Sequence, residues 1–437
     1  MSPTLPPELY DLVIDQVDPL DTLTSCALVC RQWCGRAQFR LFSSISIPVP
    51  TGKDNTQKDP SDNLRSVLST HPALSLPTST LALSLESDDR STYDKDIVED
   101  WTVRFPNLRQ IIFVASSTMP SLLPLPLLVS TLRRLPRLSF NTLTLRGVDV
   151  TSTCGAARAV NVPQNVEDCQ LPCILHLAAD FHHTSYLRGT PSVGRMNACA
   201  LLDELIRHRL LSRESLITLD LPQYWTLSTI KWDAFDGNFP SLQHFSVLLS
   251  HSQSLDSLHD DDGTHENTRR LLDALTGCPN LRSLHIIYGE PERRRDWHTV
   301  RDSALASPAL VDILTAHFAR ARAPHPRLEE LRLTLAYDGE DVEDVWGHAR
   351  TLPRLAATLA DGARYPAFRR VRVRSLVPAS LEYRAFARAL ETPREACARL
   401  FEVFAEHGVE VEVEAGYMWG DDGIPDEVYE DMCDIWY

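Results

Sequence analysis

Cys26, Cys30 and Cys34 recur at every fourth residue, a spacing that would stack three thiols along one helix. Zinc would need a fourth converging donor, which this stretch lacks, and Val29 and Trp33 stand between the thiols. Cys169, Cys173 and His176 form a second trio, interrupted by Pro172. Ten cysteines placed irregularly in 437 residues read as reduced, buried thiols. Asp180, His182 and His183 lie close together without a third ligand at a useful spacing. Asp260-Asp261-Asp262 and Asp421-Asp422-Gly423 each stop short of a calcium loop. The sequence has no Gly-x-Ser-x-Gly elbow, no His-Glu-x-x-His, no phosphate loop and no dinucleotide fingerprint after a strand. The expectation is a chain without catalysis, cofactor or metal.

Charge patterning offers a different chemistry. Arg370, Arg372 and Arg374 alternate with Val371 and Val373, so the guanidinium groups share the face opposite the valines of a strand. An open face of that kind would suit an acidic or phosphorylated target. Glu410, Glu412 and Glu414 alternate with Val409, Val411 and Val413 in the same way. If the two strands are neighbours, the ladders pair with each other and leave less for a ligand. Residues 402–437 hold twelve acidic side chains and no Lys or Arg, and the chain carries a net charge of −16. That balance disfavours general binding to nucleic acid or to an anionic membrane.

The elements that must position these residues follow a repeated phrase. Phe105-Pro106-Asn107-Leu108, Phe239-Pro240-Ser241-Leu242, Cys278-Pro279-Asn280-Leu281, His325-Pro326-Arg327-Leu328 and Tyr365-Pro366-Ala367-Phe368 each lead into two apolar residues one position apart. The proline prepares a turn, and the alternating pair reads as a short strand. Weaker copies end in Leu143 and Leu145 and in Leu219 and Leu221. Helical periodicity lies between copies at 197–211, 267–275, 305–319 and 352–359. Strand and helix in alternation imply an α/β fold of stacked parallel units. The last four anchors are 39, 47 and 40 residues apart, longer than the ~20–29 of a standard leucine-rich unit. Residues 79–415 therefore read as an irregular leucine-rich-repeat-like solenoid, into which 146–196 fits poorly, followed by an acidic aromatic tail at 416–437.

The first 46 residues read as three short helices. Leu5-Pro6-Pro7-Glu8 suits a helix start, and Leu9, Leu12, Val13, Ile14 and Val17 recur at helical spacing. Asp21 can cap a second helix through Leu28, and Val29-Cys30-Arg31-Gln32-Trp33 opens a third that ends near Phe39 and Phe42. So short a bundle cannot hide all of its apolar side chains. Residues 47–78 read as a polar linker with one short helix.

The stretch Leu5, Pro6, Glu8, Leu9, then Val13 or Ile14, then Val29, Cys30, Arg31 and Trp33 resembles the F-box of fungal F-box proteins with leucine-rich C-terminal regions. The resemblance covers about a tenth of the chain, and its step into the second helix, at Asp21 and Leu23, is weaker than the family pattern. It implies a substrate-recognition adaptor of an SCF-type (SKP1–cullin–F-box) ubiquitin ligase. Such a chain docks on the SKP1 adaptor, and through it a cullin, while its repeats hold a protein target. Leu5, Pro6, Leu9, Ile14, Leu28, Val29 and Trp33 are then the SKP1-facing residues, and Arg370, Arg372 and Arg374 are target-facing. The alternative is a repeat-based protein-binding scaffold with no ligase role. The N-terminus reads as lacking a secretory signal, and no apolar run reaches eighteen residues, so a cytosolic or nuclear protein is expected.

Overall fold

A computed structural model gives the fold. The structure describes residues 7–17, 20–29, 31–49, 62–85, 101, 104–115, 121–135, 141–146, 148–151, 174–178, 198–221, 239–249, 262–288, 306–320, 325–336, 351–378 and 388–418. It is a mixed α/β chain that divides into two compact units, the first chiefly residues 1–175 and the second chiefly 211–437.

The first unit begins with α1 (Pro7–Asp15), α2 (Leu20–Val29) and α3 (Arg31–Ser43). Pro7 sits at the start of α1, where an amide would have no partner and a fixed φ costs nothing. Both α1 and α2 pack on α3. Ile14, Leu23, Cys26 and Ala37 form the interior, with Val17, Ala27, Trp33 and Leu41 against them. Asp15 takes the fork of Arg36, Nε to Oδ1 at 2.7 Å and Nη2 to Oδ2 at 2.5 Å. Arg40 donates to the Asp15 and Val17 carbonyls that the end of α1 leaves open. Hydrogen bonding to Arg36 holds the Asp15 carboxyl below its ordinary value.

No linker follows these helices directly. Strand β1 (Ser44–Val49) begins at the residue after α3, because Ile45, Ile47 and Val49 alternate into the interior. Residues 47–49, expected in the linker, therefore belong to the sheet. The expected short helix is α4 (Asp62–Thr70), followed by a 3-10 turn at Pro72–Ser75. The end of α3 is held by the next pass of the chain. Thr78 Oγ1 donates to the Phe42 carbonyl at 2.7 Å and Ser79 N to the Ser43 carbonyl at 2.9 Å. Then come β2 (Thr80–Leu85), β3 (Gln110–Ala115), β4 (Ser121–Pro124), α5 (Leu125–Arg134), β5 (Thr142–Arg146) and β6 (Val148–Thr151). Strands β1, β2, β3 and β5 lie side by side in that order, all parallel, while β4 pairs with β6.

Strand β7 (Ile174–Ala178) and α6 (Ala198–Arg207) precede the main body of the second unit. That body runs β8 (Thr218–Leu221), β9 (His244–Leu249), α7 (Asp262–Leu275), β10 (Ser283–Tyr288), α8 (Ala306–Phe318), β11 (Glu330–Ala336), α9 (Leu352–Leu359), β12 (Arg370–Pro378), α10 (Arg388–Glu406) and β13 (Glu410–Met418). Strands β8 to β13 follow one another in chain order, parallel throughout. Helix α8 packs between α7 and α9, and α9 on α10. Since β13 extends to Met418, the first residues assigned to the tail are strand, and 419–437 lie outside the described residues.

The register explains the repeated phrase. Leu219, Phe245, Leu284, Leu331, Val371 and Val411 form one row across six strands, and Leu221, Val247, Ile286, Leu333, Val373 and Val413 form the next. All are buried except the two valines of β13, which are half-buried. At each of the five proline anchors the fourth residue's amide donates to the first residue's carbonyl, at 3.0 to 3.3 Å. The carbonyls of Ile217, Gln243, Arg282 and Glu329 each accept two amides from the following strand entry. The proline turn thus aims each strand, and a single carbonyl registers it against its predecessor.

The anchor at His325 also builds a buried pair. Its Nε2 lies 3.2 Å from His317 Nε2, and its Nδ1 lies 3.3 Å from the Cys278 carbonyl. Donation from His325 Nδ1 to that carbonyl, and from His317 Nε2 to His325 Nε2, satisfies both contacts with neutral rings. Burial lowers both imidazole pKa values, and each cation would repel the other.

Candidate partner-binding surfaces

Helix α1 carries two apolar stripes. Tyr10 and Ile14, continued by Val17 just past the helix end, face α3, with the Tyr10 ring 6.4 Å from that of Trp33. Leu9, Leu12 and Val13, at i, i+3 and i+4, form the other stripe and are exposed by 43%, 59% and 52%. At the end of α2, Leu28 and Val29 are exposed by 84% and 64%. Phe39 of α3 is also exposed, with the Arg36 guanidinium 4.9 Å above its ring. Six of the eight large hydrophobics exposed among the described residues therefore belong to three short helices. Scattered single leucines on a surface need no explanation, but this concentration does.

The residues expected from the resemblance to face SKP1 sort by this geometry. Leu9, Leu28 and Val29 are open to a partner. Ile14 is fully enclosed, so it is a support of the module rather than a contact. Trp33 is half-buried against the same interior, and its partly open ring is shared between support and surface. Leu5 and Pro6 lie outside the described residues. Leu12 and Val13 complete the outer stripe; reading 9, 12 and 13 apart from 10, 14 and 17 on the helix would have found them.

Cys26 is buried and Cys34 half-buried, both as free thiols, and Cys30 lies outside the described residues. Among the described residues no three His, Cys, Asp or Glu side chains converge as metal ligands. Cys169, Cys173, Asp180, His182, His183, Asp260, Asp261, Asp421 and Asp422 lie outside those residues.

The second surface is the face of the β8–β13 sheet opposite its apolar rows. One row reads Thr218, His244, Ser283, Glu330, Arg370, Glu410 and the next Asp220, Ser246, His285, Arg332, Arg372, Glu412. The arginine and glutamate ladders do stand on neighbouring strands, Arg370 opposite Glu410, Arg372 opposite Glu412 and Arg374 opposite Glu414. Arg370 Nε lies 3.0 Å from Glu410 and 3.5 Å from Glu412. Arg372 Nε lies 3.0 Å from Glu330 and is also paired with Glu412. Of the three arginines proposed to face a target, Arg370 and Arg372 are thus neutralised within the sheet. Arg374 is not so engaged: among the described residues its guanidinium forms no ion pair or hydrogen bond.

Beside Arg374 lies a groove of about 420 Å³, lined among others by Asp220, Ser246, His285, Arg332 and Thr334. Ser246 Oγ is 3.1 Å from His285 Nδ1, and Thr334 Oγ1 is 2.8 Å from His285 Nε2. Burial pushes the His285 pKa down to about 4; Arg332 and Arg374 lower it further, while Asp220 and Glu330 oppose them. The ring is therefore a neutral bridge between two hydroxyls. Ser246, His285 and Thr334 were legible only once the strands were in register, since they come from β9, β10 and β11.

A pH dependence follows. An unfolded histidine titrates near 6.5, above the folded value of about 4, so the unfolded chain takes the proton first. The stability that neutral His285 contributes is present above about pH 6.5 and is lost as pH falls towards 4. His317 and His325 act in the same direction. Urea unfolding at stepped pH should show stability falling by about 1.4 kcal/mol per pH unit for each such histidine. His285→Asn should remove one histidine's share of that slope.

No family model matches the chain, and no curated protein sequence matches it.

Proposed function

We propose that this chain is a substrate-recognition adaptor of an SCF-type ubiquitin ligase, built as an F-box-like three-helix module on a body of irregular leucine-rich-like repeats. On this reading α1 and α2 dock on an SKP1-type adaptor that connects to a cullin, and the sheet face of the second unit holds the protein to be modified. The chain performs no chemistry itself; it raises the effective concentration of its target near a ubiquitin-loading enzyme. The observation that carries the reading is the outer apolar stripe at Leu9, Leu12 and Val13, together with Leu28 and Val29, on a module whose interior is already closed by other residues. Covering one such side chain contributes about 1.5–3 kcal/mol, so a few of them suffice for a stable contact. The order Leu5-Pro6, Val29-Cys30-Arg31 and Trp33 adds a resemblance that amphipathicity alone does not require.

The test is affinity purification of the full chain with identification of bound proteins by mass. Recovery of an SKP1-type adaptor together with a cullin is the expected result. Recovery of other partners without either would favour the scaffold reading.

A further inference from the structure

The charges on the polar face of β8–β13 are not equivalent. Arg332 Nε donates to Glu330 at 2.7 Å, and Glu330 also serves Arg372. Glu410 and Glu412 serve Arg370 and Arg372. Three cations are thereby matched by three carboxylates, leaving Arg374 and Glu414 as the row that the pairing does not close. Arg374 is half-buried, and desolvation lowers its pKa, which Glu414 only opposes from a distance. A guanidinium is costly to desolvate without an acceptor. Its position is at the groove, next to the hydroxyl of Thr334 in the same row and the Ser246–His285–Thr334 chain.

We propose that this groove binds a single carboxylate of a target polypeptide, which forks onto Arg374 with the Thr334 hydroxyl beside it. The inference rests on the reading of the second unit as the body that holds a target. A planar carboxylate matches the guanidinium fork with two parallel N–H···O bonds. A phosphate is the poorer fit. It would bring about two negative charges to one uncommitted cation, with Asp220, Glu412 and Glu414 also on the lining. The volume of about 420 Å³ admits one side chain and its flanking backbone rather than a long segment. The carboxylate has two sources, an Asp or Glu side chain or a chain terminus, which share this chemistry.

The experiment uses the full chain and pools of random twelve-residue peptides. Five pools are compared: a fixed central Glu, Gln or phosphoserine with an amidated end, and a central Gln with a free or an esterified end. Wild type should prefer either the Glu pool over the Gln pool, or the free end over the esterified end, by at least about tenfold. Which of the two preferences appears identifies the source. Arg374→Gln should remove the preference, Arg374→Lys should keep part of it, and Arg370→Gln should leave it intact, with thermal unfolding of each variant recorded alongside. Equal binding to all pools by wild type would overturn the proposal whatever the variants do. So would a preference led by phosphoserine, or one that survives in a folded Arg374→Gln. None of these outcomes bears on adaptor docking, which is read from the first unit by a separate purification.

Discussion

On the proposed adaptor reading, Leu28→Asp combined with Val29→Asp should sharply weaken capture of an SKP1-type adaptor while leaving the folding of the chain intact. Both side chains are mostly exposed, so their replacement removes no internal packing and should change stability by less than about 0.5 kcal/mol each. In a docked state the two new carboxylates would be desolvated without partners, and the apolar contact would be lost as well. The expected weakening is more than a hundredfold, about 3 kcal/mol. Isothermal titration measures it, and circular dichroism through the thermal transition checks the fold. Ile14→Ala is the informative contrast. It removes atoms from the closed interior of the module, so it should lower stability by about 2–5 kcal/mol and weaken docking only through that loss.

Phe318→Ala should be the most damaging single change in the second unit. The ring is fully buried and meets His317, His325 and Tyr365 edge-on at 5.1, 6.3 and 5.8 Å. The Tyr365 hydroxyl donates to the Phe318 carbonyl at 2.8 Å, which ties the anchor before β12 to the end of α8. Truncation to Ala should cost about 3–5 kcal/mol from lost contact and the cavity left behind. For a unit of this size that lowers the unfolding midpoint by roughly 10 °C. Differential scanning calorimetry would show the loss. The His317–His325 pair would also become hydrated, so the acid sensitivity of the variant should shrink.

Legibility in the sequence followed how local the cause was. The anchors at Phe239, Cys278, His325 and Tyr365 were readable because a proline turn and an alternating pair sit within about eight residues. Helix α9 was readable to the residue because Leu352, Leu355, Ala356 and Leu359 are all buried on one face. The boundary after α3 was not, because Ser44 to Val49 becomes strand only through Thr80 to Leu85, which lie far along the chain. The pairing of the arginine and glutamate ladders could be anticipated from matching alternation, and the register places them opposite one another. What alternation could not give is which arginine has no ion-paired carboxylate among the described residues. That depends on Glu330 of β11, which pairs with Arg332 on its own strand and with Arg372 on the neighbouring one. Likewise, helical spacing named the apolar residues of α1, but only packing on α3 divides them into Ile14 within and Leu9, Leu12 and Val13 without.

The most direct test of the central claim is hydrogen–deuterium exchange of the full chain, alone and mixed with purified SKP1-type adaptor. The account predicts new protection within residues 7–29, on α1 and α2, and unchanged exchange across β8–β13. Absence of any protection at saturating adaptor, or protection confined to the sheet of the second unit, would contradict it.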